Sequence, residues 1–409
     1  MILRDKRTYW GIIPVIIIAY LTFQLGYNEA LGFDCYISDE QWYVSAARNM
    51  LKTMFHVNNI AWYQYPQAEG IESYLNLEHP PLGKYIIMLA MITLGDKPIY
   101  WRIPNLIEAA IMIILVYLIA RKITKSELLA LIPPLILFLD PLFNNMKIIA
   151  MLDFPQAFFT LLAVFFMVYD KPLLASIMIG LASSIKHSGV FLIPGYAVYL
   201  YFKQDISKIR SLIYTFIVPS LVFTIVNIPV IIYLGGIKEW IDIQLWALSW
   251  HASYKNNPFI VPPWGWLINQ EPFVFYYSPE GTPLLSAKTN PYLYPLIIPT
   301  LIIALLMYKE WFDLFKVHVM LWSYYIMYYV LYAIGGRSQL SFYAMPMAPL
   351  VSIVVPLTLV KTVLEYEKLS EKLRNLVKRL KRKQEVIPES LVTSENTSIT
   401  EKSRQNHEE

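Results

Sequence analysis

Charged residues and cysteine are scarce in this sequence. Only 16% of its 409 residues are Asp, Glu, Lys or Arg, whereas an average soluble domain carries about 25%. The single cysteine, Cys35, excludes a disulfide within the chain and a cysteine-based metal site. In their place, apolar runs long enough to cross a bilayer recur between residues 9 and 360. The sequence therefore predicts an all-α, polytopic integral membrane protein.

The basic residues indicate how the apolar runs are oriented. Arg4, Lys6 and Arg7 precede the first run, and no small-residue cleavage site follows it, so we expect an uncleaved span with a cytoplasmic N-terminus. The positive-inside rule then gives about ten crossings and a cytoplasmic C-terminus. The predicted spans comprise residues 9–27, 99–120, 128–143, 154–169, 173–185, 190–202, 212–233, 291–307, 317–334 and 340–360.

Two long loops, about residues 28–98 and 234–290, are predicted to face the extracytoplasmic side of the cell membrane. Within the first loop, residues 84–94 are apolar but too few to cross the bilayer. We expect them to form a juxtamembrane helix that lies along the outer interface. Residues 1–360 are assigned on this basis to one transmembrane domain.

The composition changes after residue 360. Residues 361–387 place leucines at helical spacing among many Lys and Arg, which predicts a basic amphipathic helix on the anionic cytoplasmic leaflet. Membrane lipids are favoured as its partner over nucleic acid. The polar residues 388–409 are predicted to be disordered. The leucine stripe consists of Leu369, Leu373, Leu376 and Leu380.

The unusual polar side chains all fall on the predicted outer side. Charges are costly near hydrocarbon, so their accumulation at one membrane face indicates a functional site. These residues are Asp39, Glu40, His79, Lys84, Arg102, Asp153, Lys186, His187 and Arg337.

The adjacent acids Asp39 and Glu40 are the most informative of these residues. A carboxylate beside cationic side chains suits group transfer from a lipid-borne phosphate. The carboxylate takes the proton of an acceptor hydroxyl, and the cations stabilise the departing phosphate. Because adjacent acids point in different directions, one can act as base while the other orients a sugar or a cation. The alternative, a solvated pair that caps a helix beginning at Gln41, remains open.

The other candidates also have plain structural explanations. The His-Pro-Pro-Leu-Gly-Lys run at residues 79–84 is typical of the beginning of a helix. Asp153 could be a second acid, a cation ligand or a helix-terminal residue. Lys186 could bind phosphate or extend towards the membrane interface. Arg337, which follows two glycines, could bind phosphate or occupy a turn.

Aromatic residues and metal ligands give weaker signals. Four tryptophans of the second outer loop fit an aromatic belt at the membrane face, although one or two could stack on a sugar. His or Cys spacing for zinc is lacking. No cofactor is indicated, but a divalent cation held by Asp39, Glu40 or Asp153 remains open. The tryptophans are Trp246, Trp250, Trp264 and Trp266.

The order of these motifs resembles the protein O-mannosyltransferase family, and more broadly the GT-C membrane glycosyltransferases that use polyprenyl-phosphate sugars. The resemblance covers roughly residues 1–360. Its elements are Ser38-Asp39-Glu40, residues 79–84, Arg102-Ile103-Pro104-Asn105, Leu152-Asp153, Lys186, His251 and Tyr254, Pro262-Pro263-Trp264-Gly265-Trp266-Leu267, Phe275-Tyr276-Tyr277, and residues 337–346.

This resemblance implies a GT-C type bundle with juxtamembrane helices in the first outer loop. It also implies an enzyme that moves a hexose, with mannose favoured, from a dolichyl or polyprenyl phosphate to a Ser/Thr hydroxyl of a protein. Transfer would occur on the extracytoplasmic face with inversion. Asp39 would be the catalytic base, with Glu40 beside it, and Arg102 would bind the carrier phosphate or hold the base in place.

The remaining expected site residues fall into two groups. Lys84, Arg337 and Lys186 are expected at the donor phosphate. His79, Asp153, His251 and Trp264 are expected elsewhere in the site.

The chain also departs from the family pattern. No segment is long enough for the additional lumenal domain of the eukaryotic enzymes, and Gly265 and Ile268 loosen the tryptophan motif. These departures leave the acceptor open. A GT-C enzyme that glycosylates a lipid or a glycan is the first alternative, and a non-enzymatic lipid or sugar transporter is the second.

Overall fold

The computed structural model describes residues 10–63, 71–203, 205–253 and 258–385, without the side chains of residues 251–252 and 380–385. Within these ranges the chain is helical apart from one short hairpin, which confirms the predicted helical class. The basic residues Arg4, Lys6 and Arg7 and the predicted tail at 388–409 lie outside the described residues.

The first part of the bundle is built from two long helices and the loop between them. Pro98 occupies the first turn of α4, where its missing N–H costs no hydrogen bond. Helix α4 packs along α1 and also contacts α3 and α8. The two predicted spans and the juxtamembrane helix are confirmed as helices, and α2 begins at Glu40, one residue before the expected start. The helices are α1 (Ile12–Leu31), α2 (Glu40–Thr53), α3 (Leu82–Leu94) and α4 (Pro98–Thr124).

The segment predicted as one span at 128–143 divides into three short helices. Prolines account for the breaks, because Pro133 and Pro134 lie in the first turn of the second helix and Pro141 is the first residue of the third, where an N–H would have no partner within the helix. The helices are α5 (Glu127–Ala130), α6 (Ile132–Phe138) and α7 (Pro141–Met146).

A pair of closely packed helices follows. Helix α8 packs against α9 along its length, and the turn between them contains Asp170 in a left-handed conformation (φ 54°). A 3-10 turn, His187–Leu192, then leads into α10. The helices are α8 (Asp153–Val168), α9 (Pro172–Ile185) and α10 (Ile193–Phe202).

The second outer loop carries more structure than the sequence predicted. A continuous helical segment enters it, consisting of α11 (Lys208–Leu212), a π-turn (Ile213–Ile217) and α12 (Val218–Leu234). Two helices and an antiparallel hairpin lie within the loop. They are α13 (Ile237–Ala252), α14 (Pro263–Leu267), β1 (Val274–Tyr277) and β2 (Pro283–Ser286).

Four further helices complete the described part of the chain. A 3-10 turn, Tyr294–Leu296, precedes the first of them, and another, Ser341–Met347, precedes the third. The helices are α15 (Ile297–Leu306), α16 (Phe312–Ala333), α17 (Ala348–Leu364) and α18 (Tyr366–Glu385). Helix α18 lies within the region expected to form the basic amphipathic helix.

Four helical segments of the described chain are long and apolar enough to cross a membrane, by length and composition: Ile12–Leu31, Pro98–Thr124, Lys208–Leu234 and Ser341–Leu364. Shorter apolar helices accompany them, among them α3, α8, α9 and the turn leading into α15. The integral membrane class is thereby confirmed. The total of about ten crossings, the sidedness and the division at residue 360 stay predictions.

Candidate active site

Glu40 and Arg102 form a fully buried ion pair at the start of α2 and in the first turns of α4. The five N–H groups of Arg102 are all used. Nε and one Nη2 hydrogen donate to the Glu40 carboxylate (2.9 and 2.7 Å). The other three donate to backbone carbonyls, those of Ala30 (3.1 Å), Phe33 (2.6 Å) and Cys35 (2.7 Å). Arg102 therefore has no donor left for a phosphate in this arrangement.

The Glu40 carboxylate is equally well satisfied. Besides the two bonds from Arg102, it accepts backbone N–H bonds from Ile37 (2.8 Å) and Ala150 (2.7 Å). Glu40 thus ties the loop before α2 to α4 and to the segment before α8. These contacts favour a framework role for the Arg102–Glu40 pair. That Arg102 holds the base Asp39 in place stays a prediction.

Asp39, the preceding residue, has a different environment. Ser38 adopts a left-handed backbone conformation (φ 50°), which turns the chain immediately before it. Among the described residues, the half-buried Asp39 carboxylate accepts no hydrogen bond. Burial raises the pKa of Asp39 to about 6, an effect opposed by the Lys186 ammonium and reinforced by the Asp153 carboxylate. This pKa suits a general base that works near neutral pH.

Asp153 and Lys186 form another buried ion pair near Asp39. Asp153 is the first residue of α8, Lys186 follows the last residue of α9, and their side chains meet at 2.7 Å. Within the described part of the chain, the second oxygen of Asp153 has no hydrogen-bond partner, and Lys186 donates only this one bond. The Lys186 ammonium also lies over the rings of Tyr343 (4.0 Å to the centroid) and Phe342 (5.4 Å).

The residue 79–84 run packs directly beside this pair. Gly83 lies so close to Leu152 and Ile185 that a Cβ placed there would be 2.5 Å from a Leu152 methyl carbon. Leu152 and Ile185 immediately precede Asp153 and Lys186. The small residue in the motif therefore permits the first outer loop to contact the α8–α9 pair.

Lys84 forms its hydrogen bonds within the first loop. Its buried ammonium donates to the carbonyls of Asn76 (2.5 Å) and His79 (2.8 Å) and to Asn76 Oδ1 (3.3 Å). Burial lowers the pKa of Lys84 to about 7, although Glu78 opposes the shift. A lysine with three internal acceptors and a weakened charge is poorly suited to a phosphate. His79 packs its ring edge-on against Tyr43, at 5.7 Å between centroids.

The other predicted site residues lie near the second outer loop. Arg337 is exposed and stacks near the ring of Tyr332 at 5.8 Å, and Trp264 contacts the rings of Tyr329 and Tyr332 at 5.7 and 5.3 Å. The His251 backbone belongs to α13, but its side chain lies outside the described part, as does all of Tyr254. Among the described side chains, no hydrogen bond, ion pair or ring contact joins Arg337 or Trp264 to Asp39, Asp153 or Lys186, which we call the Asp39 group.

Sequence reasoning overlooked several residues that shape the site. Tyr43 and Tyr74 lie in the electrostatic neighbourhood of Asp39, and Tyr343 lies in that of both Asp39 and Asp153. Arg48 and Asp96 form a further buried ion pair at 2.6 Å that holds the first loop together. Of these, only Tyr343 carried a sequence signal, because it belongs to the 337–346 motif.

No group of three or more Asp, Glu, His and Cys residues in the described ranges is arranged to hold a metal ion. Glu40, one of the three acids considered for a cation, has both oxygens occupied by protein donors.

Solved structures share this architecture. ArnT from Cupriavidus metallidurans, bound to undecaprenyl phosphate, is 15% identical with a TM-score of 0.53 over 85% of this chain and 60% of its own. The Archaeoglobus fulgidus oligosaccharyltransferase AglB, in complex with an inhibitory peptide and a dolichol-phosphate, is 14% identical with a TM-score of 0.51 over 89% and 52%. The fold is that of the GT-C membrane glycosyltransferases.

Within this class, the resemblance to one family is confirmed. Residues 78–233 match the family model described as dolichyl-phosphate-mannose-protein mannosyltransferase. A polyprenol-phosphate-mannose–protein mannosyltransferase of Corynebacterium glutamicum is 22% identical over 66% of this chain. The chain spans 65% of the length of that relative.

Proposed function

We propose that this protein transfers a hexose, with mannose favoured, from a polyprenyl or dolichyl phosphate to a Ser/Thr hydroxyl of a protein on the extracytoplasmic face. The name of the corynebacterial relative and the matched family description support the donor and acceptor classes. The observation that carries the proposal is the contrast between two adjacent acids. Glu40 is saturated with internal donors, whereas Asp39 has a half-buried carboxylate with a pKa of about 6 beside Lys186.

Asp39 acts in this proposal as the general base. Its carboxylate takes the proton of the acceptor hydroxyl as the hydroxyl oxygen attacks the anomeric carbon of the sugar. The bond from that carbon to the phosphate oxygen breaks, and attack from the opposite face inverts the anomeric centre. Burial raises the pKa of the Asp39 carboxylate enough for it to accept a proton in this step, yet leaves the carboxylate ionised at neutral pH.

Lys186 receives the departing phosphate. It retains donors beyond its bond to Asp153, and a lysine binds phosphate as a point charge. Asp153 and the Tyr343 ring fix the position of the ammonium. Arg102 and Lys84, also expected at the phosphate, are assigned to holding the first loop. Arg337, which is exposed between α16 and the Ser341–Met347 turn, is not assigned to the phosphate.

The test uses the purified full-length protein, polyprenyl-phosphate mannose with a radiolabelled sugar, and a Ser/Thr-rich peptide. Label should enter the peptide, and Asp39→Asn should reduce turnover by about 10²- to 10⁴-fold. Its thermal stability should be retained or increased, because the variant removes a charge that burial disfavours.

Asp34→Asn provides the matched control, since Asp34 is an exposed acid of the same loop. It should transfer mannose at the wild-type rate. Wild-type turnover by Asp39→Asn would remove Asp39 from the base role. Transfer of label to lipid or glycan acceptors, with none to peptide, would replace the proposed acceptor class.

A further inference from the structure

Helix α18 lies at the end of the bundle opposite the Asp39 group. The Ser341–Leu364 segment connects the two ends, because Phe342 and Tyr343 flank Lys186 at one end and Leu364 precedes α18 at the other. Only Glu365 separates α17 from α18. Helix α18 therefore begins where a membrane-crossing segment ends.

The beginning of α18 is fixed to the protein. Leu369 is buried, and Lys372 donates to Glu310 Oε2 (2.5 Å) and to the carbonyl of Leu306 (3.2 Å). These contacts hold the helix against the end of α15. The orientation of α18 relative to the bundle is thus set by its first two turns.

The apolar stripe of α18 extends beyond Leu369, which is buried against the bundle. Leu373 and Leu376 follow Leu369 at helical spacing, and they are each 42% exposed, while Val377 is 50% exposed. Nearby, Val363 and Leu364 at the end of α17 are 78% and 66% exposed. Among the described side chains, both the stripe of α18 and the end of α17 therefore expose apolar groups.

The charge on α18 is strongly positive. The helix contains eight Lys or Arg and three Glu, and all three Glu lie at positions 367, 371 and 385. Arg374, Lys378 and Arg379 are exposed. Basic side chains on both flanks of an apolar stripe match a surface with anionic groups above a hydrocarbon layer.

We propose that the surface formed by Leu373, Leu376, Val377, Arg374, Lys378 and Arg379 binds the anionic phospholipid leaflet. The leucines and the valine enter the headgroup boundary, and the basic groups contact lipid phosphates. Continuity with α17 supports this occupant, because the surface lies at the level where the span leaves the bilayer. The inference is independent of the proposed transferase activity.

The test measures amide hydrogen exchange of the full-length protein in lipid nanodiscs. One set contains phosphatidylcholine alone, and the other also contains the anionic lipid phosphatidylglycerol. Each basic group near an anionic leaflet favours association by roughly fivefold. Exchange in the second half of α18 should therefore be at least about fivefold slower in the anionic discs. The amides of α17 serve as the internal control and should not respond.

Two variants separate the charged and apolar contributions. Arg374→Gln/Lys378→Gln/Arg379→Gln should lose the difference between the two lipid compositions. Leu373→Ser/Leu376→Ser should weaken protection in both. Neither variant touches the Asp39 group, so mannose transfer in detergent should remain at the wild-type rate.

Three results would overturn the proposal. Equal exchange of wild-type α18 in both lipid compositions would show that anionic lipid is not the partner. Protection that appears in phosphatidylcholine discs only after an RNA oligonucleotide is added would assign the surface to nucleic acid. Loss of transfer in detergent by the glutamine variant would show that the charges act within the protein.

Discussion

Two of the buried ion pairs among the described residues, Arg102–Glu40 and Lys186–Asp153, differ in how completely their hydrogen-bonding groups are used. Arg102 and Glu40 form hydrogen bonds with each other and with surrounding backbone groups, and every guanidinium N–H donates within the protein. Asp153 and Lys186 meet through one hydrogen bond, and one Asp153 oxygen has no partner in the described chain. We call the Arg102–Glu40 pair closed, because all its hydrogen-bonding atoms have partners, and the Asp153–Lys186 pair open, because some of its atoms have none among the described residues.

This difference distinguishes the pair that holds the fold together, Arg102–Glu40, from the pair that belongs to the candidate site, Asp153–Lys186. A buried ion pair overcomes its desolvation cost only when further hydrogen bonds satisfy its remaining atoms. The closed pair meets that requirement internally. The open pair retains donor capacity that a phosphate can use, and it lies in the electrostatic field of Asp39. Unused hydrogen-bonding capacity at the outer end therefore indicates the site more specifically than charge does.

The largest effect on stability should follow from breaking the closed pair. Glu40→Gln leaves the buried Arg102 guanidinium without its counter-charge, which should lower the free energy of unfolding by about 3–5 kcal/mol. Thermal unfolding in detergent measures the loss. Glu72→Gln, at an exposed glutamate of the same loop, should unfold like the wild type. If Glu40→Gln were equally stable but inactive, Glu40 would have a chemical role instead.

Removing both charges of the open pair should affect donor binding and leave stability nearly unchanged. Asp153→Asn/Lys186→Met removes both charges together, so no unpaired buried charge remains and stability should stay close to that of the wild type. The lost hydrogen bond to a charged phosphate, worth about 1.5–3 kcal/mol, should raise the donor KM roughly 10- to 100-fold. Steady-state kinetics with varied donor concentration checks this.

Lys203→Met is the control for that variant, because Lys203 pairs with Asp170 and Asp205 at the other end of the bundle. Its donor KM should not change. An unaltered donor KM in the double variant would contradict the assignment of the open pair to phosphate binding.

The smallest effect should appear as a pH dependence. In the proposed mechanism the base is ionised Asp39, so the rate of mannose transfer should fall about tenfold per pH unit below the Asp39 pKa of about 6. Because folding raises this pKa from 3.8, protonated Asp39 favours the folded state, and its contribution to stability is lost as pH rises through about 6. Unfolding measured across this range should show the loss in wild type and not in Asp39→Asn.

Much of the architecture could be predicted from the sequence. Apolar runs and the basic residues between them located α1 and α4 within a few residues, and the short apolar run at residues 84–94 was correctly predicted to be helical. The proline breaks in α5–α7 and the elements of the second outer loop were not predicted. A hydropathy profile is averaged over a window of residues, so it does not show where a helix is interrupted.

The site was predicted as a group of residues but not as a set of contacts. The sequence named the acids and cations expected on the outer side. Arg102 and Lys84 were both considered for phosphate, and in the structure they donate to internal acceptors. Arg48 and Asp96, a pair formed across 48 positions, gave no local signal. Which cation meets which carboxylate depends on contacts between distant segments.

The sequence by itself determined that this chain is a helical membrane protein, and it predicted a group of polar residues at one membrane face, because hydropathy and charge act locally along the chain. Only the tertiary structure decided that Glu40 pairs with Arg102, whereas Asp39 accepts no hydrogen bond among the described residues and feels the charge of Lys186. The two acids are neighbours in sequence, but Asp39 follows the left-handed turn at Ser38 and Glu40 begins α2, so their carboxylates meet different surroundings.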